Sequence, residues 1–294
     1  MESSTEISDR LKVVTGQRQE GLSAKVLHLL FCLILVPTAL LLGGCAEVPI
    51  THREGLHLVP ESQLLTLSFQ QYEEVLKTSK LSSDQGKTHM VRTVGEKVAK
   101  SAEAFLKDAG QSGKISDYHW EFNLIEDDKT VNAWCMPGGK VGVYTGILPY
   151  AQNEAGLAVV LGHEIGHALA DHGNERMSQA LLAETGGMAL SVALSQKPRE
   201  TQDLFMAVFG VGVSVGALLP YSRLHESEAD RIGLMLMARA GYDPRESIPF
   251  WERMSKERKA KSPEFLSTHP APESRIENLK NYIPEALPYY KKSR

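Results

Sequence analysis

Val160-Leu161-Gly162-His163-Glu164-Ile165-Gly166-His167-Ala168-Leu169 places two histidines four residues apart, with a glutamate after the first, inside a stretch of helical apolar periodicity. Asn153 is a good N-cap at its start and Gly173 a stop at its end, so the spacing predicts a helix over about 154–172. Residues four apart on a helix share one face, with Cβ atoms about 5–6 Å apart. Two imidazoles so placed can converge on one zinc ion at Zn–N distances of about 2.0–2.1 Å. Glu164 projects about 100° round the axis from His163, too far to be a natural ligand but well set to take a proton from water at an open metal position. His163 and His167 are therefore read as metal ligands and Glu164 as the catalytic base.

A hydrolytic zinc commonly takes two histidines and a glutamate and keeps one position open. The segment Ser222-Arg223-Leu224-His225-Glu226-Ser227-Glu228-Ala229-Asp230 supplies carboxylates 59 residues beyond His167. Glu226 and Asp230 share a helical face, so Glu226 can bind the ion while Asp230 accepts a ring N–H from a liganding histidine and fixes its tautomer. Glu228 points to nearly the opposite side, and His225 is the rival third ligand. A solvated acidic helix face is the plain alternative, and it loses weight once this segment is joined to the first.

Outward from these motifs the chain reads as mostly α with a small antiparallel β-sheet (α+β), the zincin-like arrangement with an H-E-x-x-H helix. Pro60 opens a helix carrying Leu64, Leu65, Leu67, Phe69, Tyr72, Val75 and Leu76, and a second helix runs from about Asp84 to Ala109. Short strand patterns follow at His119–Ile125, Thr130–Cys135 and Lys140–Thr145, with Gly138-Gly139 marking a hairpin. Everything after Asn153 is helical in pattern. The apolar stretch Leu204–Leu219 is too short to span a bilayer and reads as a buried or flap-like helix near the cleft, with shallow membrane contact or a hydrophobic substrate surface as the alternative. His52, His57, His89, His119 and His172 are read as surface or core residues without a role.

The net charge of −4, with no block of like charges, gives no footprint for nucleic acid. Cys32, Cys45 and Cys135 form no C-x-x-C pair, which leaves histidine and carboxylate as the metal donors and makes Cys135 a small buried hydrophobe. Residues 1–44 read as an export signal, with Arg18 and Lys25 ahead of an apolar run over 26–42. Leu42-Gly43-Gly44-Cys45 looks like a bacterial lipoprotein box, cleaved before Cys45 so that this cysteine is lipidated. The expected layout is a signal peptide at 1–44, a polar tether at 45–59, a zinc metallopeptidase domain at 60–283 and a tail at 284–294. That places the protein in the periplasm, held to the membrane by its lipid, and Ala46 after the cysteine points to the outer membrane.

The two motifs, with Arg223 ahead of Glu226, resemble the gluzincin family that includes the HtpX-like and CAAX prenyl proteases. The likeness extends to Asn132-Ala133-Trp134, Pro137-Gly138-Gly139-Lys140-Val141, Thr268-His269-Pro270 and Arg275, and covers about residues 60–283. The lipoprotein leader makes the periplasmic, BepA-like branch the best match. The resemblance implies one Zn²⁺ per chain and polypeptide substrates. It also suggests two roles for His269, capping the fourth zinc position at rest or steadying the oxyanion, beside the plain reading of a loop histidine held by local hydrogen bonds. Zinc peptidases of this kind bind substrate extended beside an edge strand, and Gly139, Lys140, Val141, Gly142 and Val143, just ahead of the motif helix, are the candidate edge, with an ordinary internal hairpin strand the equal alternative. The leading expectation is an endopeptidase that cleaves unfolded or misassembled envelope proteins. A non-catalytic chaperone with a structural zinc, and hydrolysis of a non-peptide substrate, are the alternatives.

Overall fold

The computed structural model describes residues 45–185, 222–257, 264–269 and 274–292 of the chain. The leader 1–44 and the apolar stretch 204–219 lie outside the described residues, and the described elements from Ala46 onward belong to one unit. In chain order come β1 (Cys45–Glu47), β2 (Glu54–Leu56), α1 (Glu61–Thr78), α2 (Gln85–Asp108), β3 (Glu121–Ile125), β4 (Ala133–Met136) and β5 (Lys140–Tyr144). They are followed by α3 (Glu154–Leu169), α4 (His172–Thr185), α5 (Arg223–Arg239), α6 (Ser247–Glu257), α7 (Glu264–Thr268) and α8 (Arg275–Lys292).

The motif helix α3 is buried nearly all round, which is what a helix apolar on every side requires. It packs against α5, α2 and β4, and Leu157, Val160, Leu161 and Ile165 sit in the main core. Asn153 caps it as expected, its side chain accepting from Gly156 N at 2.9 Å. The helix stops three residues earlier than the sequence predicts. It ends at Leu169, and the break comes at Asp171, which takes φ 52, rather than at Gly173. Aspartate tolerates the left-handed region through its short polar side chain, and the turn lets His172 begin α4.

The sheet is small, as expected, but mixed. Its order is β3-β5-β4, with β5 antiparallel to β4 and parallel to β3. Gly138 and Gly139, at φ 76 and φ 80, make the hairpin between β4 and β5. The expected edge, Gly139 to Val143, is therefore corrected. Val141 pairs with Phe122 on one side and Cys135 on the other, so this strand is central. Gly142 is needed there because a Cβ would stand 2.2 Å from the Trp134 ring. Among the described residues the strand with a free side next to α3 is β4.

The tether also needs correction from Ala46 onward. Val48 and Val59 are buried, and β1 and β2 form a two-stranded ribbon. Arg53 reaches from that ribbon to Glu175 on α4 and Glu228 on α5, at 2.9 Å and 2.7 Å. Polar composition suggested a solvated linker. Its Arg53 instead finds two carboxylates on the helices.

Candidate metal centre

Helices α3 and α5 cross at glycine. A Cβ on Gly162 would lie 2.8 Å from the carbonyl oxygen of Gly233, and one on Gly166 2.9 Å from that of Ala229. With no side chains between them the backbones meet, and Glu226, in the first turn of α5, reaches the histidines of α3. Ser222 sets that first turn, accepting from His225 N at 3.2 Å.

His163 Nε2 and His167 Nε2 lie 3.1 Å apart, and Glu226 approaches them at 3.5 Å and 3.3 Å. His269, just past α7, completes the group, with Nδ1 2.9 Å from Glu226 Oε1 and 3.2 Å from His163 Nε2. One donor atom from each of the four falls within 4.8 Å of all the others, and all four residues are buried. His225, the rival ligand, turns the other way and lies 3.2 Å from Glu175.

Asp230 Oδ1 stands 3.0 Å from His163 Nδ1. Sequence alone gives Arg275 no role of its own, yet it ties Glu226 of the donor group to Asp230. Its guanidinium donates to Glu226 Oε2 at 3.0 Å and to Asp230 Oδ1 at 2.7 Å, and lies 3.5 Å from the centre of the Trp251 ring. Buried between two carboxylates and an aromatic face, it neutralises charge and leaves Glu226 Oε1 for the centre. Two further residues were missed. His172 Nδ1 touches His167 Nδ1 at 2.9 Å, and Glu228 touches His172 Nε2 at 2.9 Å.

The electrostatics are those of a site built for a cation. Burial opposes ionisation of Glu226, but His269 and His163 hold it well below the usual carboxylate range. Burial would lower His163, yet Glu226 and Asp230 outweigh it and raise this group to about 9. His167 is pushed well down by burial. Burial raises Glu164, and its Oε1 accepts no hydrogen bond although it lies only 3.5 Å from His269 Nε2. A buried carboxylate oxygen without a hydrogen bond, beside two imidazoles and a glutamate, fits a zinc site that expects water. Cys135 is kept neutral by burial and by Glu164, as a bystander on β4 would be.

Helix-borne H-E-x-x-H, a glutamate from a second helix and a small sheet alongside define a zinc metallopeptidase. The pattern of Peptidase family M48 matches residues 89–283, and the chain belongs to that family of zinc metalloendopeptidases. It is 32% identical over 271 residues to the mitochondrial metalloendopeptidase OMA1 of Saccharomyces cerevisiae, covering 87% of this chain and 76% of that protein. To mitochondrial OMA1 of Schizosaccharomyces pombe it is 41% identical over 174 residues, 58% of this chain and 49% of the relative. To the beta-barrel assembly-enhancing protease of Yersinia pestis it is 28% identical over 207 residues, 69% of this chain and 40% of the relative. The chain thus spans about half or less of the length of the latter two. No helix among the described residues is long and apolar enough to cross a membrane.

Proposed function

We propose that this metallopeptidase cleaves unfolded or misassembled proteins of the bacterial cell envelope, holding zinc through His163, His167 and Glu226 with Glu164 as general base. The observation that carries the assignment is the convergence of those three donors from two helices beside the hydrogen-bond-free Oε1 of Glu164. Zinc bound there supplies Lewis-acid activation of water and of the scissile carbonyl. Glu164 takes the proton from the attacking water and returns it to the leaving amine, a role that its raised pKa suits. Asp230 and Arg275 hold His163 and Glu226 in place while this happens. The substrate backbone adds to the free side of β4, whose Cys135 lies close enough to feel the charge of Glu164. His269 stands among the donors as a resting cap that moves aside for substrate.

Support for the envelope comes from Leu42-Gly43-Gly44-Cys45 and from the Yersinia relative named for β-barrel assembly. Lipid on Cys45 would then hold the chain to the outer membrane, and Cys45→Ser should move it from the membrane to the soluble fraction. A Cys45→Ser protein still in the membrane fraction would remove the anchor.

The seat of His269 in the donor group favours a second reading, a closed four-donor zinc site in a non-catalytic assembly factor. One experiment separates the two. Glu164→Gln should lower casein cleavage at least about 100-fold while zinc stays near one per chain; undiminished turnover refutes the role of Glu164. No cleavage by either protein, with zinc bound, supports the assembly factor.

A further inference from the structure

His167 faces the donor group with Nε2, so a metal ion needs the lone pair on that nitrogen and the ring hydrogen on Nδ1. For His163 the matching hydrogen is fixed by a carboxylate, Asp230. For His167 the partner on that side, among the described residues, is another ring. Its Nδ1 lies 2.9 Å from Nδ1 of His172, and two ring nitrogens at that distance share a single hydrogen.

Which ring owns the hydrogen is settled one step further out. His172 Nε2 is 2.9 Å from Glu228 Oε2, and an ionised carboxylate only accepts. His172 therefore carries its hydrogen on Nε2, and in the neutral ring Nδ1 is a bare acceptor. His167 must then donate from Nδ1, which leaves its Nε2 bare and aimed at the donor group. Glu228 cannot drift, because Thr51 Oγ1 donates to one of its oxygens and Arg53 Nε to the other at 2.7 Å. Arg53 is itself held by Glu175 at 2.9 Å.

We propose that His172 is a positioning residue that sets the tautomer of the metal ligand His167, and that Glu228, clamped by Thr51 and Arg53 of the N-terminal ribbon, sets the tautomer of His172. The proposal rests on the assignment of His163, His167 and Glu226 as zinc ligands. It makes the ribbon from Ala46 to Leu56 part of the metal site, three hydrogen bonds from the ion.

Two variants separate this role from simple packing. His172 is fully buried and stacked on His225, with ring centroids 4.4 Å apart, so His172→Phe keeps a ring in the space and removes the acceptor. His172→Asn keeps an acceptor near the position of Nδ1 and loses the ring. The relay predicts that His172→Phe weakens zinc binding about 10- to 100-fold, the usual effect of losing such a partner, and that His172→Asn stays within a few fold of the parent. A packing role predicts the reverse order. Equal affinities, or Phe the tighter, overturn the proposal.

Nitrogen-15 spectra of histidine-labelled full chain supply a readout that needs no variant to fold. The metal-free parent should show His167 with hydrogen on Nδ1 and His172 with hydrogen on Nε2. A His167 ring with its hydrogen on Nε2 overturns the relay while leaving the ligand assignment standing. A parent that takes up no added zinc refutes the ligand assignment itself.

Discussion

Gly162→Ala tests whether the crossing of α3 and α5 sets the metal geometry. In a mid-helix position this change ordinarily stabilises by about 0.5–1 kcal/mol. Here the new Cβ would stand 2.8 Å from the Gly233 carbonyl oxygen, about 0.6 Å short of ordinary contact at 3.4 Å, and the atoms it meets are all backbone. No side chain can rotate away, so the helices must separate. Overpacking of this kind costs about 1–3 kcal/mol, which leaves a net loss of about 0–2.5 kcal/mol after the helix gain. The effect on metal binding is larger, because ligand distances are matched to within about 0.2 Å. Moving His163, the next residue, by several tenths of an ångström from Glu226 exceeds that tolerance. Zinc affinity, measured by competition with a chromogenic chelator, should fall at least about tenfold, a loss of about 1.4 kcal/mol. Gly86→Ala is the control, since its Cβ would meet only the Asp84 side chain at 3.5 Å. If Gly162→Ala instead stabilises the metal-free protein as Gly86→Ala does and keeps parental affinity, the crossing is not what holds the ligands together.

The groups around the centre give three further expected outcomes. His163 is raised to about 9 in the metal-free protein, so zinc must displace its proton. Apparent affinity should rise about tenfold per unit from pH 7 to about 9 and then flatten; titrations independent of pH across that range refute the coupling. The metal-free protein should be acid-sensitive. His172 is held down at about 4 by burial, and Glu175 and Glu228 lie at about 2 because His225, His172 and Arg53 outweigh their burial. All three take up protons more readily unfolded. Stability should therefore fall from about pH 6.5 towards 4 through His172, and from about 4.5 towards 2 through the carboxylates; a melting temperature unchanged between pH 7 and 4 contradicts this. His269→Ala should raise casein turnover severalfold with one zinc still bound, if His269 caps the resting site, whereas a fall in turnover assigns it to the oxyanion instead.

The parts of the site that lie close in sequence could be read without a structure. His163, Glu164 and His167 depend only on helical spacing, and Asn153 and Ser222 are caps whose chemistry is local. Glu226 was preferred over Glu228 by the face it shares with Asp230, and that face is the one turned to the α3 histidines. Strand order was different in kind. The pairs β3–β5 and β4–β5 follow from which strand the core admits between the other two, and all three are buried on both faces, so alternation carried no signal.

His172 shows why the outer shell was missed. Five residues along a continuous helix amount to about 140° round the axis, so on the helix predicted over 154–172 this side chain points away from His167. The real chain breaks at Asp171, in the left-handed region at φ 52, and the turn aims the ring of His172 back at Nδ1 of His167. That break is compatible with the sequence but not demanded by it, since Gly173 two residues later is the stronger stop signal. Glu228 suffers the same fate for the opposite reason. It does lie on the face of α5 away from Glu226, as expected, but that face meets His172 and Arg53 rather than water. A carboxylate passed over as a metal ligand is thus the group that orients the partner of His167, and the deciding fact was the position of the ribbon, which no spacing rule contains.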